Sequence, residues 1–176
     1  EQAIKDGLEM AWMIWEVIPI EGDENAANQP DYLIMNFYKD SVQQNNQVNF
    51  YALGRSVYSK MSKKKFDKKW EDGPYGTRHS YQLIRLDNTE WTFGNPEIGM
   101  EAQLNAFKQT DDTYEQYEME FYKKWHDKGI LNGSRKWWEF NRVISSSENA
   151  NKEITHVTMD IRGRDIPEEE AEKAWG

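Results

Sequence analysis

The chain has 176 residues, 14% of them aromatic, no cysteine, and 31 acids against 22 lysines and arginines, for a formal net charge of −9. These totals exclude disulfides, thiol chemistry and cysteine metal sites. They also argue against nucleic acid or an anionic membrane surface as partner, since both are bound through basic patches.

No apolar run approaches the roughly 20 residues that a membrane-spanning helix needs, so no membrane insertion is expected. Eight tryptophans supply ring surface for a core despite a mean hydropathy of −0.98. In chain order, Glu1–Gly7 reads as the last turns of a helix with Gly7 as its stop. Ala11–Pro19 and Tyr32–Lys39 read as strands joined by a loop carrying Gly22, Asp23, Asn25, Asn28 and Pro30. In the second of these, Leu33, Met35 and Phe37 point one way, and Tyr32, Ile34, Asn36 and Tyr38 the other. Val48–Met61 places apolar residues at 50, 53, 57 and 61, the spacing of a helix with one buried face. Lys63–Glu71 extends it or forms a second short helix, with its lysines on a solvated face. Gly73-Pro74-Tyr75-Gly76 is a turn, and Ser80–Phe93 holds a strand or a helix–strand pair.

Met100–Lys108 then reads as a strand, Asp111–Lys128 as a helix, and Arg135–Ile144 and Ile154–Arg162 as two more strands. Asp111 or Asp112 caps the helix, Gly129 ends it, and Tyr114, Tyr117, Phe121 and Trp125 form one aromatic stripe. Pro167–Trp175 is expected to be a short acidic closing helix.

One pattern occurs twice. Gly7 and Gly129 stand 122 positions apart, and at that offset Ala11 meets Gly133 and Trp15 meets Trp137. After a loop two residues longer, Met35 meets Met159 and Asn36 meets Asp160. At the first offset Glu1 matches Lys123, so the first copy is expected to lack its opening strand and most of its helix. The order β-α-β-β is that of a ferredoxin-like unit. The expected segmentation is 1–72 for the first repeat with its closing helices, 73–98 as connection, and 99–176 for the second repeat.

The string Tyr114–Phe140, with Lys123-Lys124-Trp125-His126 and Lys128-Gly129, resembles uncharacterised bacterial proteins built of tandem dimeric α/β-barrel (ferredoxin-like) repeats. Ala11–Glu16, Tyr32–Tyr38 and, with departures, Arg78–Trp91 carry the same resemblance across most of the chain. It implies an α+β fold in which two ferredoxin-like repeats form a pseudo-dimeric α/β barrel, the first repeat being N-terminally incomplete. The superfamily includes monooxygenases, heme proteins and binding modules, so the fold does not select a function.

Val157, Met159 and Ile161 suit packing under the helices, which turns His156, Thr158, Asp160 and Arg162 into the barrel interior. The first copy adds Tyr32, Ile34, Asn36 and Tyr38 to that face. The preceding strand adds Trp137, Glu139 and Asn141, or else Trp138, Phe140 and Arg142, according to register. The candidate ligand-binding set is therefore Tyr32, Asn36, Tyr38, Trp137, His156, Asp160 and Arg162, with His156 and Asp160 as candidate acid/base groups. The same residues could instead be a satisfied network that fills the interior. His126 sits near a helix end, where its cation would meet the dipole favourably, and His79 is a surface loop residue.

No metal or nucleotide motif is present and no cofactor is evident. Two readings follow: a small-molecule-binding or assembly module without catalytic motif, or a small-molecule enzyme of monooxygenase or isomerase type. A small-molecule ligand and a homo-oligomer are the expected partners, and a partner that supplies the missing strand would make the chain a structural subunit. The lack of cysteine, the start without Met and the high polarity lean towards an exported or periplasmic protein.

Overall fold

The computed structural model describes residues 1–19, 22, 29–46, 48–73, 78–90, 92, 97–167 and 169. It is an α+β protein with two antiparallel sheets, of two and four strands, neither of them closed. The chain divides into two compact units, Glu1–Tyr75 and Gly76–Gly176. No described helix is long and apolar enough to cross a membrane. Four expected features fall wholly or mostly outside the described residues: the loop carrying Gly22, Asp23, Asn25, Asn28 and Pro30, the turn at 73–76, Trp91, and the closing helix at 167–175.

The first unit runs α1 (Gln2–Lys5), β1 (Ala11–Glu16), β2 (Tyr32–Phe37), α2 (Ser41–Asn45), α3 (Phe50–Val57) and α4 (Lys63–Glu71). Gly7, at φ 71°, stops the opening helix as its lack of a Cβ allows. β1 and β2 pair with Met13 opposite Met35. Ala11, Met13, Trp15, Leu33, Met35 and Phe37 form the half-buried face of this hairpin. Asp40, Asn49 and Ser62 each accept a backbone N–H at the start of α2, α3 and α4. α3 and α4 lock through Tyr51, Phe66 and Trp70, whose rings lie 5.4–5.7 Å apart. Gly54 admits this packing, because a Cβ there would meet the Phe66 ring at 3.0 Å.

The second unit opens with β3 (Tyr81–Asn88) and β4 (Ala102–Phe107). A long helix follows: α5 (Tyr114–Tyr117), a π-helical turn (Glu118–Tyr122) and α6 (Lys123–Asn132). β5 (Arg135–Ser146) and β6 (His156–Arg162) complete the sheet, ordered β3-β5-β6-β4. The segment expected to connect the repeats therefore contributes an edge strand to the second sheet. The helix continues past Gly129 and stops at Gly133, φ 80°, which corrects the expected end. Gly129 is small for another reason, since a Cβ there would stand 3.2 Å from that of Arg135. The aromatic stripe is also corrected. Tyr117 and Phe121 are exposed, and the i→i+5 turn that contains Phe121 rotates the helix after it back by roughly 100°.

Gly7 and Gly133, the two left-handed helix stops, are 126 positions apart. Adding 126 to β1 and 124 to β2 converts Trp12↔Asn36, Ile14↔Ile34 and Glu16↔Tyr32 into Trp138↔Asp160, Phe140↔Thr158 and Arg142↔His156. All three products are cross-strand pairs of the second sheet.

Candidate functional site

The second sheet buries ionisable groups on both faces. Register places Trp138, Phe140, Arg142, His156, Thr158 and Asp160 on one face, and Trp137, Glu139, Asn141, Val157, Met159 and Ile161 on the other. The helix lies on the first of these. Tyr114 packs edge-on against Phe140 and His156, and His126 stacks on Trp138 at 4.3 Å. The expected orientation is therefore reversed: His156 and Asp160 face the helix, while Val157, Met159 and Ile161 face away from it.

His156 is 1% exposed, its ring stacked between Phe107 and Phe140. Its Nε2 lies 2.9 Å from Glu115 Oε1, and its Nδ1 lies 2.9 Å from Thr155 Oγ1. Arg142 donates through Nε to Glu115 Oε1 at 2.6 Å and through Nη2 to Oε2. This fork drives the Glu115 carboxyl down to about 2, with His156 adding to the effect and partial burial opposing it. The carboxylate stays charged, so it accepts from Nε2–H and fixes that edge of the imidazole. Both ring nitrogens are engaged inside the protein.

The π-helical turn begins at Glu118, which is 7% exposed and shares a hydrogen bond with the Tyr114 hydroxyl. Burial raises the Glu118 carboxyl, and the nearby charge of Asp160 raises it further. Burial likewise raises the Tyr114 phenol, with Glu118 second. Asp160 Oδ1 stands 2.7 Å from Arg135 Nε and 3.5 Å from His126 Nδ1. The arginine contact is an ion pair without hydrogen-bond alignment. Burial raises Asp160 while Arg135 pulls it down. Arg135 also donates to His126 Nδ1, which makes that nitrogen an acceptor. Burial first, and the Arg135 charge second, push the His126 imidazole down to about 3. His126 is neutral, so the expected cation at the helix end is corrected: desolvation outweighs the dipole.

On the opposite face Glu139, 2% exposed, meets Arg85 through Nε at 2.8 Å and Nη2 at 2.7 Å. The Arg85 guanidinium also lies 5.1 Å over the Trp137 ring. Burial raises Glu139 and Arg85 opposes it.

The structure separates the candidate set. His156 and Asp160 share one face, Trp137 lies on the other, and Arg162 is an exposed strand end 3.6 Å from Glu101. Tyr32, Asn36 and Tyr38 belong to the first unit, where Tyr38 donates to Glu9 at 3.5 Å. His79 is exposed, as expected. Sequence reasoning did not single out Glu115, Glu118 or Arg135 as site residues, and named Arg142 as part of one of two register alternatives. The structure takes the register alternative that sets Trp138, Phe140 and Arg142 beside Asp160, Thr158 and His156, and Glu118 was recoverable as the i+4 neighbour of Tyr114. Among the described residues, no group of three His, Asp or Glu side chains stands where it could hold a metal ion. A cavity of about 60 Å³ lined by Trp125, Lys128, Asn132, Ser134 and Arg135 has room for water only.

No protein-family model, curated protein or solved structure matches this chain.

Glu115 yields a prediction about acid. Its folded-state value lies below its unfolded one, so its contribution is present above the unfolded value and lost as pH falls through the folded one. Between about pH 5 and pH 2 the parent should lose ~1–2 kcal/mol more stability than Glu115→Gln, after allowing for solvent screening. Urea unfolding of both proteins across that range measures the difference, and equal losses would remove Glu115 as the acid-sensitive group.

Proposed function

We propose that this chain is a non-catalytic binding or assembly module, built of two ferredoxin-like repeats as a pseudo-dimeric α/β barrel. What supports the repeat reading is the pair of matched helix-stop glycines together with the coincident strand registers. The resemblance to bacterial tandem-repeat proteins of that superfamily belongs to the same proposal.

The observation that carries the functional reading is the state of His156. It is the best-placed imidazole for acid/base work, yet it is buried and bonded at both nitrogens by residues of its own fold. A general base needs a substrate proton within reach, and this ring has given both edges to Glu115 and Thr155. The network instead joins helix to sheet and fixes their relative position.

Acylation by diethyl pyrocarbonate, followed residue by residue by mass spectrometry, tests this. His79, which is exposed, should react readily, and His156 at least a hundredfold more slowly than His79 in the folded protein. A His156 that reacts as fast as His79 would restore the enzyme reading.

One observation favours the second reading, a small-molecule enzyme. π-helical turns recur at functional sites, and this one places a buried carboxyl with raised proton affinity beside Tyr114 and Asp160. On that reading Glu118, not His156, would be the acid. Glu118→Gln separates the two readings. For a module, the change keeps an acceptor for Tyr114, removes a buried ionisable group and leaves stability unchanged or higher.

A further inference from the structure

We propose that the corner between α3 and α4 is a docking groove for an acidic segment of a partner protein, one that carries an apolar side chain among its carboxylates. The proposal rests on the assembly-module reading and gives it a partner, while its observations come from α3 and α4 alone. An open groove of about 460 Å³ lies at this corner, lined by the apolar Val57, Tyr58 and Met61 and by Lys60 and Lys65. Val57 and Tyr58 are 55% and 56% exposed, so both offer apolar surface to a ligand. The corner is preformed. Met61 N–H donates to the Tyr58 carbonyl at 2.9 Å, and Arg55 Nη1 donates to the Met61 carbonyl at 3.1 Å. The same guanidinium lies 5.1 Å from the Phe66 ring, so Arg55 braces the turn.

Charge is concentrated here against the trend of the chain. From Arg55 to Glu71 stand seven bases and two acids, a local excess of +5 in a chain of net −9, so the remaining residues carry −14. Lys63 pairs with Asp67 at 2.5 Å. Lys60, Lys64, Lys65, Lys68 and Lys69 are exposed, and among the described residues none of them has an ion-pair partner. Phe66 and Trp70 turn the other face of α4 towards Tyr51, which leaves these lysines outside. Lys64 with Lys68, and Lys65 with Lys69, are like charges at i, i+4. Such pairs cost stability in the free protein, and a bound carboxylate relieves them.

Groove and charge together choose the occupant. Nucleic acids and anionic bilayers present charge over a long front, and the −14 carried by the rest of the chain opposes their approach. A short acidic segment meets the lysines alone. Its carboxylates pair with Lys60 and Lys65, and its apolar side chain enters the groove against Val57, Tyr58 and Met61. An inorganic anion would answer the charge and leave that apolar surface in water.

The test titrates the intact chain, at low salt, with the fluorescein-labelled peptide Gly-Glu-Glu-Leu-Glu-Glu-Gly, followed by anisotropy. Binding should saturate, weaken at least threefold when serine replaces the leucine, and vanish when lysine replaces the glutamates. Lys60→Glu with Lys65→Glu should weaken it at least tenfold. Position 65 lies in the first turn of α4, where an acid suits the helix dipole, so the fold is kept, as circular dichroism checks. Lys124→Glu with Lys128→Glu, an equal change of net charge in the second unit, should weaken binding less than threefold. Absence of saturation up to millimolar peptide, equal binding of the serine peptide, or equal losses in the two double variants overturns the proposal. So does tighter binding of an oligodeoxythymidine of equal charge or of phosphatidylserine vesicles, which would make a nucleic acid or a bilayer the partner. So does a concentration-dependent dimer that Lys60→Glu with Lys65→Glu dissolves, which would make a second copy the occupant. A failed titration with His156 still shielded from acylation removes this groove and leaves the module reading. A reactive His156 removes the module reading whatever the peptides do.

Discussion

Trp138→Ala is expected to destabilise the second unit by about 3–5 kcal/mol, the range for emptying a fully buried indole site. Trp138 is fully buried, and its ring stacks on His126 at 4.3 Å and on Phe140 at 6.3 Å. Its backbone is also tied to Thr89, N–H to Oγ1 at 3.0 Å and carbonyl to N–H at 3.0 Å. Truncation leaves His126 without the surface that orients it against Arg135 and Asp160, so the polar network loosens with the core. Trp12→Ala provides the comparison, because Trp12 is a half-exposed tryptophan on a strand of the first unit. It should cost no more than about 1 kcal/mol, as exposed sites generally do. Urea unfolding followed by circular dichroism measures both. Similar losses for the two would mean that the second sheet's covered face is not its core.

Arg85→Ala should cost about 3 kcal/mol at neutral pH, because it leaves Glu139 buried without its partner. The Glu139 carboxyl already lies above its ordinary range through burial, and Arg85 is the first influence holding it down. Removing Arg85 raises it further. A carboxyl raised in the folded state binds its proton more tightly there, so stability is highest at acid pH and falls as pH rises through the folded-state value. The variant's deficit should therefore shrink on acidification. The double variant Arg85→Ala, Glu139→Gln should recover most of the loss, since an amide is far cheaper to bury than an unpaired carboxylate. A deficit that neither acid nor the second substitution relieves would assign the loss to packing of Arg85 over Trp137 instead.

The two predictions concern faces that the sequence could describe but not orient. Alternation along Ile154–Arg162 and Arg135–Ile144 defines two sets of residues, because side chains of a strand point alternately to its two faces. It does not say which set meets the helix, and here both sets contain large apolar residues. The choice rests on register and on the helix above, which together bring His126 to Trp138 and Glu115 to Arg142. The long helix shows the same limit. At ordinary helical spacing the aromatic residues 114, 117, 121 and 125 make the continuous stripe. The π-helical turn breaks it and brings His126, beyond the turn, to the sheet instead. Hydrogen bonding and burial across the interface decide such a turn, and no local pattern signals it.

What this sequence determined by itself was the set of elements and their rough limits. Period-two and period-3.6 patterns, the capping residues and the glycines are local properties, so most strands and helices lie within a few residues of their expected bounds. It also determined the strands of both pairs, Ala11–Glu16 with Tyr32–Phe37 and Arg135–Ser146 with His156–Arg162. The tertiary structure alone decided that the long helix runs on to Gly133, that His126 and His156 are interior partners, and which face of the second sheet the helix covers. Those outcomes depend on which distant residues meet, and on what burial does to their charge, which no stretch of sequence contains.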